Sequence, residues 1–276
     1  RRVRGKRGVD AGRLGVSWSY LRKGEIGPVL VCLHGVGGNA TAFEAQLNGL
    51  SQHLQVWSLN LPGYGLSAAL PTMDWESLVA GLKQFLDHHK LHQVHLLGHS
   101  LGGMLSQEFA ARHPNYLVSL ILYSTSAAFG SSNGEFQQTF IAARLKPLNQ
   151  GASMQQLAAN LIDPLLAPHG SPHVRQAAIE CMQQVPPSTY RQAIECITSF
   201  DCRHNLPKLT MPTLLLAGEE DTVASPAMMQ RMARKIGKTT DVVIPDAGHL
   251  ANLEQPQLFN QHVAAFIAEC DHKQGI

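Results

Sequence analysis

The chain has 276 residues, 44% of them apolar and 15% charged, with a formal net charge of +2. That length suits one large α/β domain, or a core carrying an insertion, and the apolar fraction argues against global disorder. A charge so near neutral argues against nucleic acid as a partner. No apolar stretch reaches the roughly 20 residues that a membrane span requires.

In chain order, the basic start "RRVRGKR" reads as a loose terminus or a solvated edge strand. No signal-peptide pattern is visible, and a first residue other than Met leaves removal of one open. "GVSWSYL" (15–21) alternates like a half-buried strand, whereas "PVLVCLHG" (28–35) is apolar throughout, as a central parallel strand should be. A helical segment (41–50), a strand "QVWSLNLPG" (55–63) and a helix (74–90) with Asp74 as N-cap follow. The strand "VHLLGHS" (94–100) runs straight into a helix (101–114), and "LVSLILYSTS" (117–126) closes the first half. Such alternation predicts a parallel sheet with helices on both faces.

Residues 127–206 break the alternation. They hold helical windows at 135–145, 153–162, 174–185 and 189–200, punctuated by prolines, and no convincing strand. Strand (213–221), helix (226–237), strand (241–249) and helix (256–270) then resume. The expected organisation is a core of residues 1–126 and 207–276 with a helical cap at 127–206.

Five cysteines (Cys32, Cys181, Cys196, Cys202 and Cys270), odd in number and without a C-x-x-C pair, read as free thiols of a reducing, cytoplasmic compartment. His88, His89, His92 and His95 straddle a helix end and the next strand, so they do not share a face as metal ligands must. No glycine fingerprint, Walker motif or metal cluster is present, and no cofactor is expected.

The chemistry centres on "GHSLG" (98–102), a G-x-S-x-G between a predicted strand and a predicted helix. That context makes Ser100 a nucleophile on a strained elbow, with a helix N-terminus aimed at developing negative charge. A serine hydroxyl needs a base, and the base needs a carboxylate, in the chain order Ser, Asp or Glu, His. Asp221 and His249 follow the last two predicted strands and fill those roles, with Glu219 and Glu220 as rivals for the acid. The backbone N–H groups of Leu101 and of Val36, in "HGVGGN", are the candidate oxyanion donors. His34 and His99 read as bracing residues, and Asp246 as a turn residue.

With "HGVGGN", "LNLPGYGLS", "GHSLGGM", "GEEDTV" and "DAGHLANLEQP" in order, the chain resembles the α/β-hydrolases over nearly its whole length. It is most similar to the small-cap branch of 3-oxoadipate enol-lactonases, pimeloyl-carrier methyl esterases and meta-cleavage C–C hydrolases, and "LILYSTSAAFG" followed by a helical cap is closest to the first. The resemblance implies an α/β-hydrolase fold, a mostly parallel doubly wound sheet with a helical cap inserted after the sixth strand. It also implies cleavage of a small ester or lactone through an acyl-enzyme on Ser100.

Two departures stand out. Leu250 replaces the tryptophan usual in C–C hydrolases, and Phe129 a tryptophan frequent in enol-lactonases. Phe129, Phe136, Phe140, Arg144 and Leu250 are the candidate pocket residues. Three arginines in the predicted cap helices (Arg144, Arg175 and Arg191), together with the acidic substrates of enol-lactonases, point to a substrate carboxylate. The alternatives are C–C bond hydrolysis, acyl transfer or oxygen chemistry on the same scaffold, and a non-turnover receptor for a small ligand. No motif encodes the oligomeric state.

Overall fold

A computed structural model describes residues 6–9, 17–130 and 133–274. Its eight strands are β1 (Lys6–Val9), β2 (Ser19–Lys23), β3 (Val29–Leu33), β4 (Gln55–Leu59), β5 (Val94–His99), β6 (Leu117–Tyr123), β7 (Thr213–Gly218) and β8 (Thr239–Ile244). They form one sheet in the order β1-β2-β4-β3-β5-β6-β7-β8. The pairs β1/β2 and β2/β4 are antiparallel and all the others parallel. From β3 the chain turns one way to β4, then crosses back to place β5 on the other side of β3. The crevice outside the carboxyl ends of β3 and β5 is therefore the topological switch point, where open α/β sheets bind ligands.

Helices cover both faces. Alternate residues along each strand point to opposite sides. Val31, Leu33, Leu96, Leu120 and Leu122 join one core cluster, with α2 (Trp75–His88) and α3 (Leu101–Arg112). Leu30, Cys32, Leu97, Ile121 and Tyr123 join the other, with α1 (Glu44–Leu50) and a C-terminal helix at Pro256–Gln274. Asp74 caps α2 as expected, accepting the Ser77 N–H at 2.7 Å. The basic start is in part described, as edge strand β1, while residues 1–5 and 10–16, with the first part of the predicted 15–21 strand, lie outside the described residues.

Between β6 and β7 the chain runs through α4 (Glu135–Asn149), α5 (Met154–Leu161), α6 (Pro172–Met182) and α7 (Pro187–Thr198). The entry and exit of this excursion are laced together: Cys202 N–H donates to Ala127 O at 2.7 Å and Phe129 N–H to Phe200 O at 2.9 Å. α4 passes through Pro147 to Asn149, beyond the predicted stop at 145. The parallel strands β3 to β8 all end earlier than their apolar patterns suggest. β4 stops before the turn at Gly63, β6 before Ser124 at φ +44°, and β8 before Asp246 at φ +50°. β7 stops where Asp221 N–H turns back to Gly218 O. A period-2 pattern does not register where the backbone leaves the extended region, and on β5 to β8 the residues so lost are those that lead into the site.

Candidate active site

Ser100 stands at the junction of β5 and α3 with φ +50° and ψ −112°. A side chain other than glycine rarely enters that region, and holding one there costs roughly 1–3 kcal/mol. The surroundings enforce it. Ser100 N–H donates to Tyr123 O at 3.0 Å, and Thr125 Oγ1 donates to Ser100 O at 2.7 Å. The flanking glycines are required by close approach: a Cβ on Gly98 would lie 2.3 Å from Gly102 O, and one on Gly102 would lie 2.2 Å from Leu33 O.

The loop after β3 is tied to this elbow, since Gly102 N–H donates to His34 O at 3.1 Å. His34 is fully buried. Its Nδ1–H donates to Gly35 O at 2.8 Å, and its Nε2 accepts the Leu61 N–H at 3.1 Å. Those partners need one donor and one acceptor, so the ring is neutral, and burial lowers its pKa to about 4. Tyr64 Oη donates to Val36 O at 2.9 Å and so fixes the peptide beyond it. Among the described residues, no protein acceptor takes the N–H of Val36 or of Leu101.

Asp221 and His249 arrive from the loops after β7 and β8. His249 Nδ1 donates to Asp221 Oδ2 at 2.9 Å, which leaves Nε2 as the ring's acceptor. Asp221 Oδ1 accepts the N–H groups of Val223 at 2.8 Å and Ala224 at 2.9 Å. Burial alone would raise the Asp221 pKa, but the charge and hydrogen bond of His249, with the Ala224 N–H, hold it well below the usual carboxylate range. Glu219 and Glu220, the rival acids, are exposed.

The histidine loop is joined to the elbow through the backbone carbonyl of His249. It accepts from His99 Nε2 at 2.9 Å and from Tyr123 Oη at 2.9 Å. His99 stacks on Tyr123 with ring centres 4.5 Å apart, and its pKa is far below the usual value, first through burial and then through the nearby His249. Tyr123 and Thr125 were not singled out from the sequence. They carry no motif, and their position at the end of β6 is the one signal that marks them.

Three of the candidate pocket residues form a stack: Phe129 and Phe140 meet edge to face at 5.5 Å, and the Arg144 guanidinium lies 3.5 Å from the centre of the Phe140 ring. Phe136 is at the outer edge of the stack, 56% exposed, its ring 6.2 Å from that of Phe140. Leu250 is half-buried beside His249 in the chain and packs on the same core cluster as Val36. The cap arginines divide. Arg175 pairs with Asp163, and Arg191 donates to Asn149. Arg144 donates to Phe140 O at 3.2 Å, has the buried Tyr190 nearby, and has no carboxylate partner among the described residues. Among those residues, no cluster of His, Cys, Asp and Glu fits a metal ion, and no helix is long and apolar enough to cross a membrane.

Residues 28–256 match the family described by the alpha/beta hydrolase fold. The chain is 32% identical over 265 residues to the dihydrolipoyllysine-residue acetyltransferase component of the acetoin cleaving system of Pseudomonas putida, covering 93% of this chain and 67% of that protein. It is 25% identical over 242 residues to 3-oxoadipate enol-lactonase 2 of Acinetobacter baylyi, covering 86% of this chain and 88% of that one. A thermophilic esterase from Thermogutta terrifontis, solved with malate bound, superposes with a TM-score of 0.86 at 27% identity, over 96% of this chain and 99% of the esterase.

Proposed function

Because the chain belongs to the alpha/beta hydrolase fold family, whose relatives here include an esterase and an enol-lactonase, we propose that it is a serine hydrolase of a small carboxylic ester or lactone. The observation that carries this reading is the Asp221–His249 hydrogen bond, together with a serine held at φ +50° between two obligatory glycines. His249 Nε2 takes the proton of Ser100 Oγ as that oxygen attacks the substrate carbonyl carbon. The oxyanion faces the N–H groups of Val36 and Leu101. Collapse breaks the C–O bond, and the leaving alcohol takes the proton from His249; in a lactone the alcohol stays tethered to the acyl chain. Water, activated by the same histidine, then releases the acid. Asp221 holds the ring in the required tautomer and stabilises the imidazolium. The reaction needs no cofactor.

Residues 127–206 serve as a cap over this centre, and its half-buried Arg144, which has no carboxylate partner among the described residues, supplies selectivity by holding a substrate carboxylate. Its guanidinium is partly desolvated and already oriented by Phe140, and a carboxylate would give it the bidentate partner it lacks. A second reading, transfer of the acyl group to an acceptor other than water, is favoured by the acetyltransferase component at 32% identity. It uses the same acyl-enzyme and differs only in what attacks it.

A panel of p-nitrophenyl esters of rising chain length, with lactones, tests the proposal. Turnover of at least one is expected, with an organophosphonate labelling Ser100 alone. No turnover, or a label elsewhere, overturns it. Product analysis with added thiol or alcohol acceptors separates hydrolysis from transfer.

A further inference from the structure

The backbone of His249 is held from two sides. Its carbonyl belongs to the core, bonded to His99 and Tyr123. Its N–H belongs to the excursion between β6 and β7, donating to Leu165 O at 2.7 Å. Leu165 closes a 3-10 turn at Asp163–Leu165, between α5 and α6. The approach is close: a Cβ on Gly248 would lie 2.5 Å from Leu165 O.

One side chain spans the contact. Glu254, the last residue of the short helix Ala251–Glu254, takes the Ala167 N–H on Oε1 at 2.7 Å and the Gly248 N–H on Oε2 at 2.8 Å. The first donor is in the excursion and the second is in the histidine loop. Each oxygen of the carboxylate thus grips one side of the seam. The group is half-buried and held near the Asp221 carboxylate, and burial raises its pKa, so the site carries a carboxyl that is costly to keep there.

We infer that Glu254 is a positioning residue that locks the 163–167 segment onto the histidine loop, so that His249 is fully braced toward Ser100 only while that segment is seated. If the segment swings out, Glu254 loses its Ala167 partner and the His249 N–H loses its acceptor at the same time. The base then keeps only its core-side bonds. Entry of substrate under the cap and readiness of the base are thereby coupled. The inference rests on the serine-hydrolase reading above.

Glu254→Gln is the first test. An amide keeps the shape but turns one acceptor into a donor facing an N–H. The expected result is a fall in kcat of about tenfold to a hundredfold, as for small displacements of a reacting group, with KM within about twofold. The rate at which an organophosphonate labels Ser100 falls by the same factor, and protease nicking within residues 163–171 accelerates. Glu254→Asp, with a shorter reach, recovers part of both rates. Ala167→Pro removes the donor on the excursion and is likewise expected to lower kcat.

A Glu254→Gln enzyme that labels and turns over within about twofold of wild type, measured well below its melting temperature, overturns the inference. So does a kcat loss without a matching loss in labelling rate. Failure of the wild-type enzyme itself to be labelled defeats the serine-hydrolase reading instead, so the two failures are distinct.

Discussion

The carboxyl ends of the strands and the helical excursion above them are built on opposite terms. At the strand ends, position is set by backbone. Ser100 is gripped at its N–H and its carbonyl, Asp221 accepts two main-chain N–H groups, and His249 is held through its own main-chain atoms. The two glycines of the elbow sit where a single methyl group would collide with backbone. In the excursion, by contrast, α4 has one buried residue, Leu148, and its most informative group is a side chain, Arg144, resting on an aromatic ring. Groups fixed by backbone keep one geometry for as long as their main-chain partners stay in place. Groups presented by side chains on exposed helices can change with little cost to the fold. Under the proposed function the first suits the shared chemistry and the second the choice of substrate.

The largest effect that can break this division is at the nucleophile. Ser100→Ala leaves the elbow's backbone bonds in place, so the variant is expected to fold with wild-type circular dichroism. Its turnover should fall by about 10⁴-fold or more, since under the proposed mechanism loss of the nucleophile removes the covalent route. Residual turnover above about a hundredth of wild type would remove Ser100 from the mechanism. Next comes the acid. Asp221→Asn is expected to lower kcat by about 10²- to 10⁴-fold with little change in KM, because the carboxylate acts on the imidazolium that forms only in the transition state. A nearly silent Asp221→Asn beside a crippled Glu219→Gln or Glu220→Gln would show that the acid lies elsewhere.

Smaller, but on the same side of the comparison, is a pH effect on stability. His34 is neutral when folded, with a pKa near 4 against an ordinary value of 6.5. Between those values the unfolded chain binds the extra proton. Its contribution is therefore complete above pH 6.5 and is lost as the pH falls toward 4. From pH 7.5 to 4.5 this amounts to roughly 2–3 kcal/mol. Urea denaturation at the two pH values should show at least that loss in the wild type, with His99 adding to it in the same direction. In His34→Gln the difference should shrink by about the same amount. An unchanged difference would mean that His34 is not the neutral brace of the oxyanion loop.

How much of this was legible in the sequence follows the same division. The elbow could be read because its constraints are local: strand, two spaced glycines and helix lie within a dozen residues. Asp221 and His249 could be read because each follows a strand, and chain order limits the choice. Tyr123, Thr125 and Glu254 could not. They act through backbone atoms 25 to 126 residues away or across the seam at Ala167, and no short pattern encodes such contacts. The strand ends overshoot for a related reason, since the same apolar residues continue into turns whose φ is positive. In the excursion the helices were placed to within a few residues, but the fate of each arginine was not, because Arg175 finds Asp163 12 residues away and Arg191 finds Asn149 42 residues away.

That last point gives the test of the excursion's side of the comparison. Of the three arginines on its α-helices, two are satisfied by neighbours and one, Arg144, meets an aromatic face and its own helix. A cation over a ring is stabilised by about 0.5–2 kcal/mol, less than a charged, two-point hydrogen bond to a carboxylate provides. Two esters of equal length, one ending in a methyl group and one in a carboxylate, isolate the difference. The ratio of their kcat/KM values should favour the acid in the wild type. In Arg144→Met that ratio should fall by about tenfold or more, the value of a charge-assisted hydrogen bond. Arg144→Lys, which keeps the charge but not the planar fork, should fall between the two. Arg175→Met and Arg191→Met should leave the ratio at its wild-type value, because their guanidinium groups are already engaged. An Arg144→Met enzyme with an unchanged ratio would assign Arg144 to packing against Phe140, and the preferred substrate would then be a neutral ester.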